Sequence, residues 1–320
     1  MTISIAMATY NGERFLPTQL DSIATQTRLP DELVISDDGS SDSTIEIVEK
    51  FAAYAPFKVT LLKNLDRLGS IKNFERALTQ CSGEIIALSD QDDLWLPEKL
   101  ETQGGFLESN PDLGGAFSDA YLMNDQSTRT GETLWATNNF DSADQEELHS
   151  GNTFARGITG KKTLGCTLMF KSYLLEKIVP IPSIWEHDSW IAWMIAIYSR
   201  LDIIPEKLIQ YRIHSAQQFG VARLPLASHL KTNRSRYLEY AEQLTAILHR
   251  LEKSAPPDGR ILPQLEMMIR RSEMRGNLPR NPARRALTVI SNWNQYPQSF
   301  GGALSALKDL VGPMLSKEGG

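Results

Sequence analysis

Several common kinds of chemistry are missing from this 320-residue chain. It has two cysteines, Cys81 and Cys166, far apart and without metal-ligand spacing. That excludes a disulfide scaffold and favours a reduced, cytosolic compartment. Five histidines include no HExxH motif and no paired Cys/His set, so zinc chemistry is not expected. No run of 18 apolar residues is present, so no membrane-spanning helix is expected. No basic segment precedes the first apolar stretch, which reads as a strand rather than a signal peptide. No GxGxxG opens a helix. The nearest approach to a phosphate loop, residues 157–163, has Ala155 where its first glycine belongs and Lys162 where Ser/Thr belongs.

What is present fits a soluble globular protein: 41% hydrophobic and 22% charged residues. The net charge of −6 is unevenly spread. Residues 225–320 carry 14 Lys+Arg against 8 Asp+Glu, a surplus of six, which leaves −12 on the rest. An acidic front repels phosphate unless a metal intervenes, so nucleic acid is not an expected partner.

Apolar runs alternate with helical patterns over the first 120 residues. The expected strands are 3–8, 33–36, 59–62 and 85–88, with helices over 19–25, 44–54 and 71–79. Strand starts 25–30 residues apart mark βαβ units and a mostly parallel sheet flanked by helices. A helix is expected over 98–109, strands over 115–118, 167–170 and 208–213, and a buried helix over 188–198. Residues 124–163 are polar and weakly periodic, which predicts a long loop with a lid around 151–163. Beyond Pro225 the pattern becomes helical throughout, a C-terminal helical extension.

The chemistry gathers at strand ends. Asp90, Asp92 and Asp93 follow the run Ile85–Leu88. In an open parallel sheet, ligands collect at the carboxyl ends of strands. One aspartate there would cap a helix; three repel one another and suit a hard cation, Mn²⁺ or Mg²⁺, able to hold a diphosphate. The second strand ends in Ser36-Asp37-Asp38-Gly39-Ser40-Ser41-Asp42, where Asp38 could accept a hydrogen bond from a base N–H or from ribose. The first ends in Ala8-Thr9-Tyr10-Asn11-Gly12, where Tyr10 could stack on a base. A further acidic centre is Glu186-His187-Asp188, a helix cap or a general base. His214, close to Arg212, could add a metal or phosphate contact.

Together these residues resemble family 2 glycosyltransferases of the GT-A fold, over about residues 2–215. The wording of Ser89-Asp90-Gln91-Asp92-Asp93-Leu94-Trp95, Gly165-Cys166-Thr167 and Tyr211-Arg212-Ile213-His214 resembles a rhamnosyltransferase-like subgroup of bacterial surface-polysaccharide synthesis. The resemblance implies a GT-A domain over 1–224, with a nucleotide-sugar half (1–120) and an acceptor half (121–224), followed by the extension 225–320. It implies inverting, metal-dependent transfer of a sugar, rhamnose included, from a dTDP- or UDP-sugar. The acceptor would be a saccharide or lipid-linked saccharide. Ala8, Tyr10, Asp38 and Asp90 would bind the donor, Asp92 and His214 the metal. Asp188 would be the base, preceded by His187 where the family usually has Glu, with Glu186 a weaker rival. Asp93, Trp95, Gly165, Cys166, Glu186, His187 and Arg212 would touch acceptor or phosphate. The C-terminal helices have no counterpart in the family's common core; their amphipathic end, 300–315, is expected to pack against the body, the alternative being that the basic tail dimerises or touches the inner face of the cell membrane. The rival readings are a non-catalytic sugar-nucleotide scaffold and a nucleotidyltransferase.

Overall fold

The computed structural model describes residues 1–151, 165–214, 234–296, 302 and 305–310. The chain divides into two compact units, Met1–Val221 and Ala222–Gly320.

The first unit is built on a nine-stranded sheet. Its opening half alternates strand and helix: β1 (Ile3–Thr9), α1 (Leu16–Ala24), β2 (Glu32–Asp37), α2 (Thr44–Ala52), β3 (Lys58–Lys63), α3 (Ser70–Leu78) and β4 (Ile85–Ser89). There follow β5 (Leu94–Trp95), α4 (Lys99–Ser109), β6 (Leu113–Met123), β7 (Arg129–Thr133), α5 (Leu134–Thr137) and α6 (Ser142–His149). After the undescribed residues 152–164 come β8 (Leu168–Lys171), α7 (Leu175–Ile178), α8 (His187–Tyr198) and β9 (Arg200–Arg212). The strand order is β3-β2-β1-β4-β8-β6-β9-β5, with β7 paired to β6.

Strands β1 to β4 are parallel; β1, β2 and β4 are buried along nearly their whole length, as a sheet covered on both faces requires, while β3 at the edge is partly exposed. The second half is mixed: β8 runs antiparallel to β4 and β6, β5 antiparallel to β9, and β6 parallel to β9. The alternation of strand and helix expected over the first 120 residues is present, and the antiparallel pairs gather in the second half, where β8 enters the sheet from the opposite direction. One correction concerns residues 124–163. Their described part folds as β7, α5 and α6 rather than as one loop. The side chains of Thr133 and Asp141 cap the two helices by accepting from the amides of Ala136 and Asp144. The expected lid, beyond Gly151, lies outside the described residues.

Helix α8 is apolar around its whole circumference, with Trp190, Ile191, Trp193, Met194 and Ile195 all at most 2% exposed. Such a helix must be buried. Trp185 lies 6.0 and 6.1 Å, ring to ring, from Trp190 and Trp193, and Trp190 Nε1 donates to the carbonyl of Ile178 at 2.7 Å. This packing fixes the amino end of α8, where His187 and Asp188 sit.

The second unit contains α9 (Arg234–Lys253), α10 (Ile261–Gly276) and α11 (Pro282–Ser291). Leu278, Val289, Tyr296 and Ala306 form a small core there. Beside it Arg275 donates two bonds to Asp309, at 2.6 and 2.9 Å, and the Tyr296 hydroxyl donates to the same carboxylate at 2.7 Å. Among the described residues no helix is long and apolar enough to cross a membrane.

Candidate active site

Three adjacent strands, β2, β1 and β4, end at one edge of the sheet. Their last residues are tied together by side chains where backbone pairing stops. Thr9 Oγ1 donates to Asp37 at 2.8 Å, and the Asp38 amide donates to the Thr9 carbonyl at 2.9 Å. Asn11 adopts φ 46° and accepts from the Ser41 amide at 2.9 Å, which the short Asn side chain allows. Tyr10 therefore projects from a braced turn. The guanidinium of Arg67 lies 4.0 Å over its ring.

Asp38 is 3% exposed and already bonded. It accepts from the amides of Leu68 and Gly69 at 2.6 and 2.9 Å and from Asn64 Nδ2 at 3.2 Å. The β3–α3 loop is thereby clamped across the end of β2. Gly69 serves this turn with φ 81°, a conformation glycine adopts without penalty. Each carboxylate oxygen has two lone pairs, so the clamp leaves capacity for a further donor.

The acidic turn after β4 is held from below. Arg212, 1% exposed, donates its amide to Asp93 at 3.0 Å and its Nε to the Asp92 carbonyl at 2.6 Å. Its guanidinium also reaches Ser127 Oγ at 2.9 Å and lies 4.3 Å from the Phe15 ring. His214 Nε2 and Asp92 Oδ2 are 2.8 Å apart. Asp93 is fully buried, and its Oδ2 has no hydrogen-bond partner among the described residues. Burial, then the charge of Asp92, pushes Asp93 up to about 7. Burial and the carboxylates of Asp93, Asp92 and Asp188 together push Asp90 well above the usual range. Oxygens of Asp90 and Asp93 and the sulfur of Cys166 lie within 4.8 Å of one another.

This donor set fits a hard divalent cation. Its carboxylate oxygens are the preferred ligands of Mg²⁺ and Mn²⁺. Their mutual repulsion is the strain that a dication would relieve, and the orphan oxygen of Asp93 points to the same need. The Cys166 thiol is a poor candidate, because burial raises its pKa well above the ordinary thiol range. Lys99, wholly buried beneath the turn, donates to Gln103 at 2.5 Å, and burial lowers it to about 7.

The other wall comes from the amino end of α8. Asp188 is 8% exposed and accepts from the amides of Gly165 and Ser189 at 3.2 and 2.6 Å. Its charge reaches Asp90. His187 stacks on Phe74, ring centroids 3.8 Å apart and planes 15° apart, and burial pulls its pKa down to about 4. Gly165 faces both: a Cβ there would lie 3.0 Å from His187 Nε2 and 3.4 Å from the Asp188 Cβ. Glu186 occupies the N-cap of α8 without capping it through its side chain.

The structure thus brings Ala8, Tyr10, Asp38, Asp90, Asp92, Gly165, Asp188 and His214 to one edge. It places four residues expected to touch acceptor or phosphate beneath that edge instead. Asp93, Trp95, Cys166 and Arg212 are each at most 1% exposed, and their geometry is that of supports. Gln91, Lys99, Asn64 and Arg67 were not picked out from the sequence. Gln91 alone carried a signal, lying between two aspartates already singled out.

Comparison with known proteins agrees with this geometry. The profile described as Glycosyl transferase family 2 matches residues 4–174. An uncharacterised glycosyltransferase of Nostoc sp. is 28% identical over 68% of this chain and 66% of its own length. The dTDP-rhamnosyl transferase RfbG of Shigella flexneri is 38% identical over 30% of this chain and 34% of its own. The chain therefore spans about two thirds and one third of these relatives. Among solved structures, S. aureus TarS in complex with UDP-GlcNAc superposes with a TM-score of 0.58 at 16% identity. That superposition covers 97% of this chain and 89% of residues 1–349 of TarS, a likeness of fold. With a matching profile over more than half its length and the GT-A arrangement of strand ends, the chain belongs to glycosyl transferase family 2.

Proposed function

We propose that this chain is an inverting, metal-dependent glycosyltransferase that moves a sugar from a nucleoside diphosphate sugar to a hydroxyl of a surface-polysaccharide acceptor. One observation carries the reading: Asp188, at the start of a buried helix, accepts from the Gly165 amide at 3.2 Å, and the sulfur of the next residue, Cys166, lies within 4.8 Å of oxygens of Asp90 and Asp93. A base and a cation cage on opposite walls are what displacement at an anomeric carbon requires.

Tyr10 offers its ring to a pyrimidine, and Asp38 a free lone pair to the base N–H edge. Asp90 and Asp92, with Asp93 behind them, would hold Mn²⁺ or Mg²⁺, which when bound neutralises charge developing on the departing diphosphate. The amides of Gly165 and Ser189 orient Asp188, which takes the proton from the acceptor hydroxyl as it attacks. Partial identity to a dTDP-rhamnosyl transferase supports a deoxysugar donor of that kind. In the second unit α11 and the turn that follows it expose Leu287, Ile290 and Trp293, and residues 277–296 include no acidic residue. That face suits an anionic membrane surface bearing a lipid-linked acceptor.

The test is Mn²⁺-dependent turnover of a UDP-, dTDP- and GDP-sugar panel, with Asp188→Asn beside the wild type. Asp188→Asn should bind donor normally and lose transfer by about 10²–10⁴-fold. Normal transfer by this variant would reject the assignment of the base.

A further inference from the structure

The residue between the two aspartates of the acidic turn makes contacts that metal binding does not explain. The β1–β4 ladder ends at the pair Met7 and Ser89. Past that point the strands separate, and the N–H and C=O of Tyr10 face β4 with no backbone partner there. Unpaired backbone groups at a partly buried site are costly. Gln91 satisfies both. Its Oε1 accepts from the Tyr10 amide at 2.9 Å, and its Nε2 donates to the Tyr10 carbonyl at 3.1 Å. One side-chain amide thus continues the ladder by one more rung.

The chain makes room for this rung. A Cβ at Gly12 would lie 2.3 Å from Gln91 Oε1 and 2.7 Å from its Cδ. Any larger residue at position 12 would push the amide off the Tyr10 peptide. The far side of the Tyr10 turn is braced independently by Asn11 and Ser40, so Gln91 is its link toward the acidic turn.

We infer that Gln91 is a positioning residue that joins the base platform at Tyr10 to the cation cage at Asp90 and Asp92, so that filling one site organises the other. This rests on the proposed donor reading and goes beyond it. The carboxylates of Asp90 and Asp92, on either side of Gln91, repel one another. A cation held between them fixes the peptide that carries Gln91. The fixed amide then holds Tyr10 where a base can stack. Reciprocity requires that a bound base strengthen the cation site by the same factor.

Nucleosides without phosphate isolate the effect, since they offer no diphosphate for a cation to touch. Thymidine and uridine are titrated calorimetrically into the full-length protein, with and without saturating Mn²⁺. In the wild type, Mn²⁺ should tighten nucleoside binding at least about fivefold, the lower range of coupling between sites. In Gln91→Met, which keeps the side-chain length without its hydrogen bonds, the ratio should fall to about one, with Mn²⁺ still bound. Gly12→Ala reaches the same amide from another position and should behave alike; it stands in should Gln91→Met fail to fold. A ratio of one in the wild type, or an undiminished ratio in both variants, overturns the inference. Wild-type protein that binds UDP and dTDP but shows no Mn²⁺ effect on nucleosides sinks this inference alone. Failure to bind any nucleoside diphosphate sinks the donor reading, and this inference with it.

Discussion

At the scale of single residues, the site is governed by what burial does to charge. Aspartates 90 and 93 are pushed up and Lys99 down, because each has been taken out of water near groups that only partly compensate. His187 offers the cleanest test. Its ring lies against Phe74, and burial lowers it to about 4 from an ordinary 6.5. The unfolded chain takes up a proton at this ring near pH 6.5, whereas the folded chain resists until about pH 4. Stability from the neutral ring is therefore complete above about 6.5 and is lost as pH falls toward 4, up to about 3 kcal/mol. His187→Phe preserves the stack and removes the proton site. Denaturant unfolding at several pH values should show a shallower decline for the variant across that window; parallel curves would refute the assignment.

At the scale of elements, legibility followed burial. Strands β1, β2 and β4 could be read from sequence because buried parallel strands are continuous apolar runs. Strand β9 was expected only over its last part, since Pro205, Glu206 and Lys207 interrupt its apolar pattern. The two-residue β5 is too short for any periodicity and exists because Leu94 and Trp95 pair with Gln210 and Ile209. Strand β7 and helix α6 are polar on their exposed faces and depend on tertiary partners and side-chain caps. The acidic residues were legible because their chemistry is local to one turn. Their supports were not: Arg212 reaches Asp93 across 119 positions. Helix α8 gives a prediction at this scale. Trp190 is fully buried, its indole N–H is bonded, and its ring packs on Trp185. Trp190→Ala should cost about 3–5 kcal/mol by chemical denaturation. A cost below about 1 kcal/mol would mean that this packing does not fix the start of α8.

At the scale of the whole molecule, the candidate site belongs to one of the two units. Every site residue lies in Met1–Val221, which is also the acidic part of the sequence. The second unit is basic and has its own core, braced by Arg275, Asp309 and Tyr296. Removing one member of a buried ion pair leaves the other charge stranded, at a cost of about 3–5 kcal/mol. Arg275→Met should therefore destabilise the second unit by that amount. Nucleotide binding by the folded protein should stay unchanged. A folded variant that no longer binds nucleotide would overturn that placement.

The reversed direction of β8 has one more consequence. Because β8 opposes β4, the chain enters the site at Gly165–Thr167, departs along the strand, and must turn back to deliver α8. The chain passes the candidate site twice within about two dozen residues, first with a peptide and then with an acid. The detour over residues 172–186 works like an adjustable strap. Lengthening or tightening it would tilt the second arrival while the first keeps its place, letting the same scaffold aim the proposed base at differently shaped acceptors.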